Sequence, residues 1–567
     1  MELTEAKKIL IDNLVQNDNI IQVDVINSLN YYLQEDVISP VNVPNNRISM
    51  RDGYTFKSID NCNNYILKDK FVFPGDNNLI KEDNSVCVYI ATGGILPEYC
   101  DTVEMVENVT IVNENFIVIN GTIKKEQWVR QVGSDIEKDT KILKKGHKLN
   151  PSSIATLISL GIKSIKVYNK PKIGILSTGD ELIDQSEIKE NNEIYDINRP
   201  LLINLLKDYE VIDYKILNDN YEICKKRILE ILESVDILIT SGGISMGKKD
   251  YIKPIMNDLG TVYIDKLNMK PGKPFVFSKI DNKYIFSLPG NPISTYVTLL
   301  LLVKPSIEYF SGNNWTQPIK LSGILRNDIK ADSNRLEYLR GKIYRSDKYN
   351  KLFVDTTVSN SSTISDTIDS NCLVEVLPNK NLNSGQNVNF YLINNIYSND
   401  DDIYNIGIIT TSDRASNGIY SDISGMEIKN YLKEELCNYN IYYSLIPDEQ
   451  QQIENTLKNM CDNLCCNLIL TTGGTGPALR DVTDLATMKV CHKLLPGFGE
   501  IMRLRNFDKI PTSILSAQTA GIRYIYNDIG TLIINLPGKP EAIKECLDII
   551  FVCFSKCFEL IKAGDNI

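Results

Sequence analysis

Histidine is almost missing: His147 and His492 are the only two in 567 residues. A histidine-built metal centre or a serine–histidine triad therefore has next to no material. The chemistry falls to carboxylates, cationic side chains and backbone amides. No apolar run approaches the roughly 20 residues that span a bilayer; the most apolar, Val297–Val303, stops at Lys304 and Pro305. The opening MELTEAKKILIDNLVQ spaces its apolar residues as an amphipathic helix and lacks the core of a signal peptide. Thirteen cysteines are scattered without the paired spacing of a disulfide framework or zinc ribbon, which suits a reducing, cytoplasmic setting. Positive charge is not in excess either. A net charge of -11 argues against a chain-wide grip on nucleic acid and leaves any anion binding to local groups.

What is present is length and an apolar content of 43%, enough for three to five globular units. Residues 1–40 read as helical. From Val41 to about Val118, short β-rich runs such as Ser85–Ile90 and Phe116–Ile119 alternate with Gly, Pro and Asn turns. From Pro171 the pattern changes to apolar strands each followed by a helical period, as in Lys172–Ser177 then Pro200–Lys207, or Tyr284–Ser287 then Ser294–Tyr309. That alternation predicts a parallel sheet flanked by helices. Residues 316–395 return to short strands, Asn394–Asp402 is composed like an exposed connector, and a second α/β region begins at Ile403.

The two α/β regions repeat one another. STGDEL (177–182), TSGGISMGKKD (240–250) and LPGNPIS (288–294) in the first are matched by TSDR (411–414), TTGGTGPALRD (471–481) and LPGKPEA (536–542) in the second. Gly243 to Asp250 and Gly474 to Asp481 are both seven positions apart. A Gly-rich turn after a buried strand lets backbone N–H groups approach an anion, and a nearby carboxylate can hold Mg²⁺ against the bound phosphate. Asp481 fits that role, with an N-cap of the next helix as the plain alternative; Asp413 is a site residue or a cap, the cap being the simpler reading.

The motifs GIITTSDRASNGIYSDISG (407–425), PDE (447–449), TTGGTGPALRDVTDLAT (471–487), PGFGEIMR (496–503) and INLPGKPEA (534–542) together resemble the molybdopterin adenylyltransferase family. The resemblance implies that molybdopterin and Mg-ATP bind here, cradled by Ser412, Asp413, Thr472, Gly473, Gly474, Thr475, Gly476, Pro537 and Gly538, with Asp448 and Asp481 in catalysis and Asp481 on the metal. The chain departs from the family at Leu485, where a carboxylate is usual, and at Ala517, where an arginine is usual.

Upstream, SMRDGYTF (49–56), ATGGILPEYCDTVEMVEN (91–108), WVRQVGSDI (128–136), STGDEL (177–182), IYDINR (194–199), Thr240–Tyr251, KPGKP (270–274) and LPGNPIS (288–294) resemble the molybdopterin molybdotransferase family. This implies catalytic Asp52 and Asp250, metal ligation from Asp52, Asp135, Asp180 and Asp250, and contacts to molybdate or pterin phosphate from Ser241, Gly242, Gly243, Lys270, Lys273 and Ser294. Taken singly, an Asp in a Gly-containing turn is often structural and a loop Lys is usually solvated. The resemblance also implies a homodimer in which the β-rich unit of one chain covers the α/β unit of the other, a higher oligomer through the C-terminal domain, and apo-molybdoenzymes as acceptors.

The expected fold is α/β: two related three-layer α/β domains with parallel-rich sheets, the N-terminal one embellished by a helical segment (1–40 and 140–170) and two β-rich subdomains (41–139 and 316–395). The α/β units are 171–312 and 403–567, with 396–402 as linker. This order resembles the plant fusion protein and reverses that of gephyrin. A gephyrin-like scaffold, and a C-terminal domain that only binds molybdopterin, stand as alternatives.

Overall fold

A computed structural model describes residues 1–59, 62–76, 86–190, 192–245, 247, 249–330, 334–346, 351–356, 364–394, 396–398, 404–436, 439–526 and 529–562. Two of its sheets have the same topology. In the first, strands Glu210–Leu217, Lys172–Thr178, Ile237–Ser241 and Lys283–Leu288 lie side by side and parallel, followed by antiparallel Val276–Ile280 and Thr261–Ile264. In the second, Tyr439–Ile446, Tyr404–Thr411, Leu468–Thr472 and Ile529–Leu536 are parallel, followed by antiparallel Ala520–Tyr526 and Lys493–Leu494. Second strand, first, third, sixth, fifth, fourth is the order in each, so the sequence repeat is one fold present twice.

Both faces of each sheet are covered, which is why its central strands are continuous apolar runs. Ile237, Ile239 and Phe286 pack into one core, whereas Leu238 and Ile285 pack into the core on the opposite face. Ile408, Leu470 and Ile534 divide in the same way from Ile409, Ile469 and Ile533. Successive side chains of a strand point to opposite faces, so this division is what a three-layer α/β sandwich requires.

Residues 1–40 correct the sequence expectation. The α-helix is confined to Leu3–Asn13, with one short 3-10 turn at Val25–Asn27, and Ile20–Asp24 is a strand paired antiparallel with Ser164–Tyr168. That pairing joins segments far apart in the chain, and the alternation of IIQVD acquires meaning once its partner is known. Within 140–170 a helix does form, Pro151–Ser159, with Asn150 accepting from the Ser153 amide and proline at its first position.

The β-rich unit between these segments is a sheet in the order Thr102–Met105, Gly53–Phe56, Val86–Ile90, Asn64–Val72, Phe116–Ile119, Val109–Asn113. Ser85 of the expected strand 85–90 lies outside the described residues, as do 399–402 of the expected linker. The second β-rich unit packs on the C-terminal domain. Ile324 and Phe353 share an apolar cluster with Ile409, Tyr442, Leu457 and Met460, Lys351 Nζ donates to the Asp462 carbonyl at 2.6 Å, and Asn459 Nδ2 donates to the Ser384 carbonyl at 3.1 Å. Among the described residues no helix is long and apolar enough to cross a membrane.

Candidate functional site

The repeated motifs converge at the C-terminal ends of the parallel strands, where ligands of open α/β sheets bind. The C-terminal copy has the fuller set of contacts. Strand Leu468–Thr472 runs into Gly473 and Gly474, whose φ angles of +93° and +61° belong to the left-handed region. A Cβ on Gly473 would lie 2.1 Å from the Thr411 carbonyl oxygen, and one on Gly474 would lie 2.4 Å from Thr483 Oγ1. These close approaches bring the turn against the end of the neighbouring strand at Thr411 and the start of helix Thr483–Val490. Thr472 Oγ1 donates to the Pro537 carbonyl at 2.8 Å, which ties the Gly-Gly turn to the LPG turn, and Ser424 Oγ, from helix Ile423–Glu435, donates to the Gly538 carbonyl at 2.8 Å. Beside them lies a cleft of about 290 Å³ lined by Thr411, Ser412, Asp422, Thr472, Gly473 and Gly538, among others.

Three carboxylates surround the turn. Asp481 neither points away nor caps the following helix: its Oδ2 accepts from the Ala478 amide at 3.0 Å, folding the Gly-rich loop back on itself. Asp413 is not a cap either. Ser412 caps the short helix Asp413–Ser416, while the Asp413 carboxylate is gripped by Arg480 through Nε at 2.8 Å and a terminal nitrogen at 3.0 Å. Asp413 and Asp448 exchange reciprocal bonds, each accepting from the other's backbone amide at 3.1 and 3.0 Å. Arg480 holds the Asp413 carboxyl below its usual range. Burial pushes Asp448 up, with the charges of Asp413 and Asp481 adding to it.

Among the described residues the N-terminal copy repeats the main contacts of this arrangement. Gly242 and Gly243 have φ of +94° and +66°, and a Cβ on Gly242 would meet the Thr178 carbonyl oxygen at 2.4 Å. Asp250 Oδ2 accepts from the Gly247 amide at 2.6 Å, as Asp481 does from Ala478. Asp180 pairs with Lys249, as Asp413 does with Arg480. Asp180 and Asp219 exchange backbone bonds at 2.9 and 3.4 Å, as Asp413 and Asp448 do. Here too the cation lowers one carboxyl, Asp180, and burial raises the other, Asp219. Asn198 Nδ2 bridges Ser241 Oγ and the Gly290 carbonyl, both at 2.8 Å, which links the Gly-Gly and LPG turns in this copy. Helix Asn198–Leu205 is held from behind by Arg199, which is buried against Asp184, Asp196 and Asp213.

The remaining expected residues are distributed. Ser294 is buried in the first turn of helix Pro292–Thr298, which Asn291 caps. Lys270 lies 3.7 Å from Glu337 of the second β-rich unit, and Lys273 is exposed. Asp52 stands in the first β-rich unit, its Oδ1 accepting from the Thr92 amide at 2.7 Å and hydroxyl at 2.9 Å, which keeps its carboxyl below the usual range. Asp135 pairs with Arg130 at 3.0 Å. Among the described residues, neither Asp52 nor Asp135 has a hydrogen bond or ion pair to the α/β unit that holds Asp250.

Sequence reasoning missed Lys249, Arg480, Asp219 and Thr92. The first two were visible, since a cation immediately precedes the aspartate in both copies, KD at 249–250 and RD at 480–481. Asp219 had no such signal, because its distance from Asp180 differs from that of Asp448 from Asp413.

Among the described residues no group of three or more His, Cys, Asp or Glu side chains forms a ready metal centre. Mg²⁺ characteristically takes one or two carboxylates and completes its shell with water and substrate phosphate, so this donor set suits it. Asp448 Oδ1 adds to the fit: it is buried with no hydrogen-bonded partner among the described residues.

The Arg480 contact governs how Asp413 titrates. Asp413 has a depressed pKa, so the pair is complete above the usual carboxylate range and is lost as pH falls through the lowered value. Arg480→Ala moves the Asp413 titration upward toward an ordinary aspartate, as read by carboxyl ¹³C shifts. An unmoved titration means that the contact does not persist in solution.

Known proteins match along nearly the whole chain. Residues 1–161 match the MoeA N-terminal region (domain I and II), 322–393 match the MoeA C-terminal region (domain IV), and both 174–309 and 407–555 match the "Probable molybdopterin binding domain". Molybdopterin molybdenumtransferase of Haemophilus influenzae is 32% identical over 401 residues, covering 70% of this chain and 99% of that protein. Molybdopterin adenylyltransferase of Helicobacter pylori is 53% identical over 157 residues, covering 28% of this chain and 86% of that protein. A solved molybdopterin biosynthesis MoeA protein from Pyrococcus horikosii superposes with a TM-score of 0.60 at 27% identity, covering 70% of this chain and 99% of that one. The chain belongs to the molybdenum cofactor biosynthesis family, joining a region of the molybdopterin molybdenumtransferase type to a domain of the molybdopterin adenylyltransferase type.

Proposed function

We propose that the chain carries out two consecutive steps: the C-terminal domain transfers AMP from Mg-ATP to molybdopterin, and the N-terminal region inserts molybdate with release of AMP. The observation that carries this reading is the duplicated constellation of Gly-Gly turn, folded-back aspartate, raised carboxyl and cation-paired carboxyl. It suits two related reactions at an adenylyl phosphate. In the first, an oxygen of the pterin phosphate bonds to the α-phosphorus of ATP, the α–β bridge breaks and pyrophosphate leaves. Positioning and charge neutralisation dominate such a reaction, so the scarcity of histidine is no obstacle. Mg²⁺, when bound, would neutralise phosphate charge between Asp481 and the substrate. Thr472–Gly476 supplies backbone donors, and Arg480 holds Asp413 in place.

In the second step water attacks the phosphoanhydride, the P–O bridge breaks and AMP leaves with the pterin phosphate retained, while the two pterin thiols bind molybdate and one of its oxygens departs as water with the two thiol protons. Asp250, Asp180 and Asp52 are the acidic groups, and Lys270 and Lys273 the cations for the oxyanion. Among the described residues Asp52 has no hydrogen bond or ion pair to the unit that holds Asp250, and in this reading the Asp52 that serves each site comes from the partner chain of a homodimer. The Thr92 bonds bear on this step. Thr92→Val removes the hydroxyl bond to Asp52 and keeps the amide bond, so the acid limb of the AMP-release profile moves to higher pH. A superimposable profile argues against an ionised Asp52 in the step.

The test incubates the full chain with molybdopterin, ATP and Mg²⁺ and follows adenylylated molybdopterin, then adds molybdate and follows AMP. Both products are expected in that order. A second reading has a specific observation behind it: Leu485 puts an exposed apolar side chain on helix Thr483–Val490, and Ala517 meets the Gly-rich loop through its backbone amide, 2.8 Å from the Thr475 carbonyl. In that case the C-terminal domain binds molybdopterin without turning it over, and tight pterin binding without an adenylylated product identifies it. A gephyrin-like scaffold role would instead show as partner-peptide binding that survives substitution of Asp52 and Asp481.

A further inference from the structure

We infer that the first β-rich unit carries a stacking subsite for a planar heterocycle, formed by Phe71, Phe73 and Tyr89 beside Asp52. The inference rests on the reading that Asp52 serves the molybdate-insertion step. Three adjacent strands end together here. Gly53–Phe56 begins where Val86–Ile90 ends, with Gly53 opposite Ile90 and Tyr54 opposite Tyr89. Asn64–Val72 runs parallel to Val86–Ile90 and ends beside it, with Phe71 opposite Tyr89 and Val72 opposite Ile90. Asp52, Thr92 and Phe73 therefore leave the same end of the sheet on neighbouring strands, and the Asp52–Thr92 bonds tie two of them together.

Beside the carboxylate, Phe71 and Phe73 are 56% and 49% exposed, although a large aromatic ring gains most from burial. They are nonetheless ordered into a shelf. Their rings stack at 6.3 Å between centroids and 15° between planes, and Tyr89 lies 5.7 Å from one and 6.4 Å from the other. Two strand spacings separate Asp52 from the Phe71–Phe73 strand, about 10 Å. That span suits a molecule with phosphate at one end and a flat ring at the other. Adenine and pterin share that chemistry, and both belong to the adenylylated pterin. Open aromatic faces beside an acidic group at a phosphate site are a stacking platform, which accepts any planar heterocycle through its π-face.

The test measures binding to the full-length chain without turnover, using AMP by calorimetry and a phosphate-free pterin by its own fluorescence. The Phe71→Leu/Phe73→Leu double variant keeps apolar bulk and loses the ring faces. It weakens binding of AMP, of the pterin or of both roughly tenfold, and the ligand affected identifies the ring that stacks there. The Phe71→Tyr/Phe73→Tyr variant binds as the parent does. Binding of both ligands at parental affinity by the leucine variant overturns the inference. So does a change in its sedimentation, which would make the shelf an interface between copies. Asp52→Ala separates the two ideas: if AMP release is unaffected by it while the leucine variant still loses ring binding, the subsite stands and the role of Asp52 falls.

Discussion

Asp481→Ala lowers AMP transfer to molybdopterin by about 10²–10³-fold, the equivalent of losing several kcal/mol of transition-state charge stabilisation. Two effects act together. The substitution removes a carboxylate placed to share a metal with phosphate, and it removes the acceptor that folds the Gly-rich loop back through the Ala478 amide. Asp481→Asn separates them, because its side-chain oxygen still accepts from Ala478 while the charge is gone. If charge is what matters, Asn is nearly as poor as Ala. If loop shape is what matters, Asn retains most of the activity. Molybdate-dependent AMP release from pre-formed adenylylated pterin is unchanged in either variant, since the N-terminal copy has its own aspartate, Asp250, on the Gly247 amide.

Gly473→Ala has the largest effect expected on stability. Its φ is +93°, and the new Cβ would lie 2.1 Å from a backbone oxygen, that of Thr411, at the end of a strand paired on both sides. Left-handed strain of about 1–2 kcal/mol and overpacking of about 1–3 kcal/mol combine to roughly 3 kcal/mol. Gly418 is the control: its φ is +73°, but a Cβ there meets nothing within 4 Å, so Gly418→Ala carries only the backbone term. Denaturant unfolding compares the two. Equal losses would mean that the contact between the Gly-Gly turn and Thr411 relaxes easily and does not hold the site.

Much of this architecture was legible because burial on both faces of a parallel sheet writes itself as uninterrupted apolar strands. Lys172–Thr178 and Lys283–Leu288 match the expected 172–177 and 284–287 within a residue at each end for that reason. The duplication was legible because identical loop geometry needs identical glycines at identical spacing. Ile20–Asp24 was not, since a strand whose partner lies at Ser164–Tyr168 has no local signature to set against a helical neighbour. At the site, the glycines and folded-back aspartates were within reach, whereas the pairing of Asp180 with Asp219 and of Asp413 with Asp448 depends on neighbouring strands ending together. The plain reading of Asp413 as a helix cap gave way to its pairing with Arg480, and Ser412 took the cap. The shelf at Phe71 and Phe73 was invisible, because exposed aromatics in a β-rich run read as buried ones until the sheet is built.

The central claim is that two separate sites act in sequence, and complementation tests it most directly. Asp481→Ala and Asp52→Ala chains are each given molybdopterin, ATP, Mg²⁺ and molybdate, first alone and then mixed, and finished cofactor is measured by reconstitution of an apo-molybdoenzyme. Each alone is expected to fail, the first without adenylylated pterin and the second with that intermediate accumulated, while the mixture recovers synthesis. A mixture no better than either variant alone, with no intermediate accumulating in Asp52→Ala, would contradict the assignment of one step to each copy of the fold.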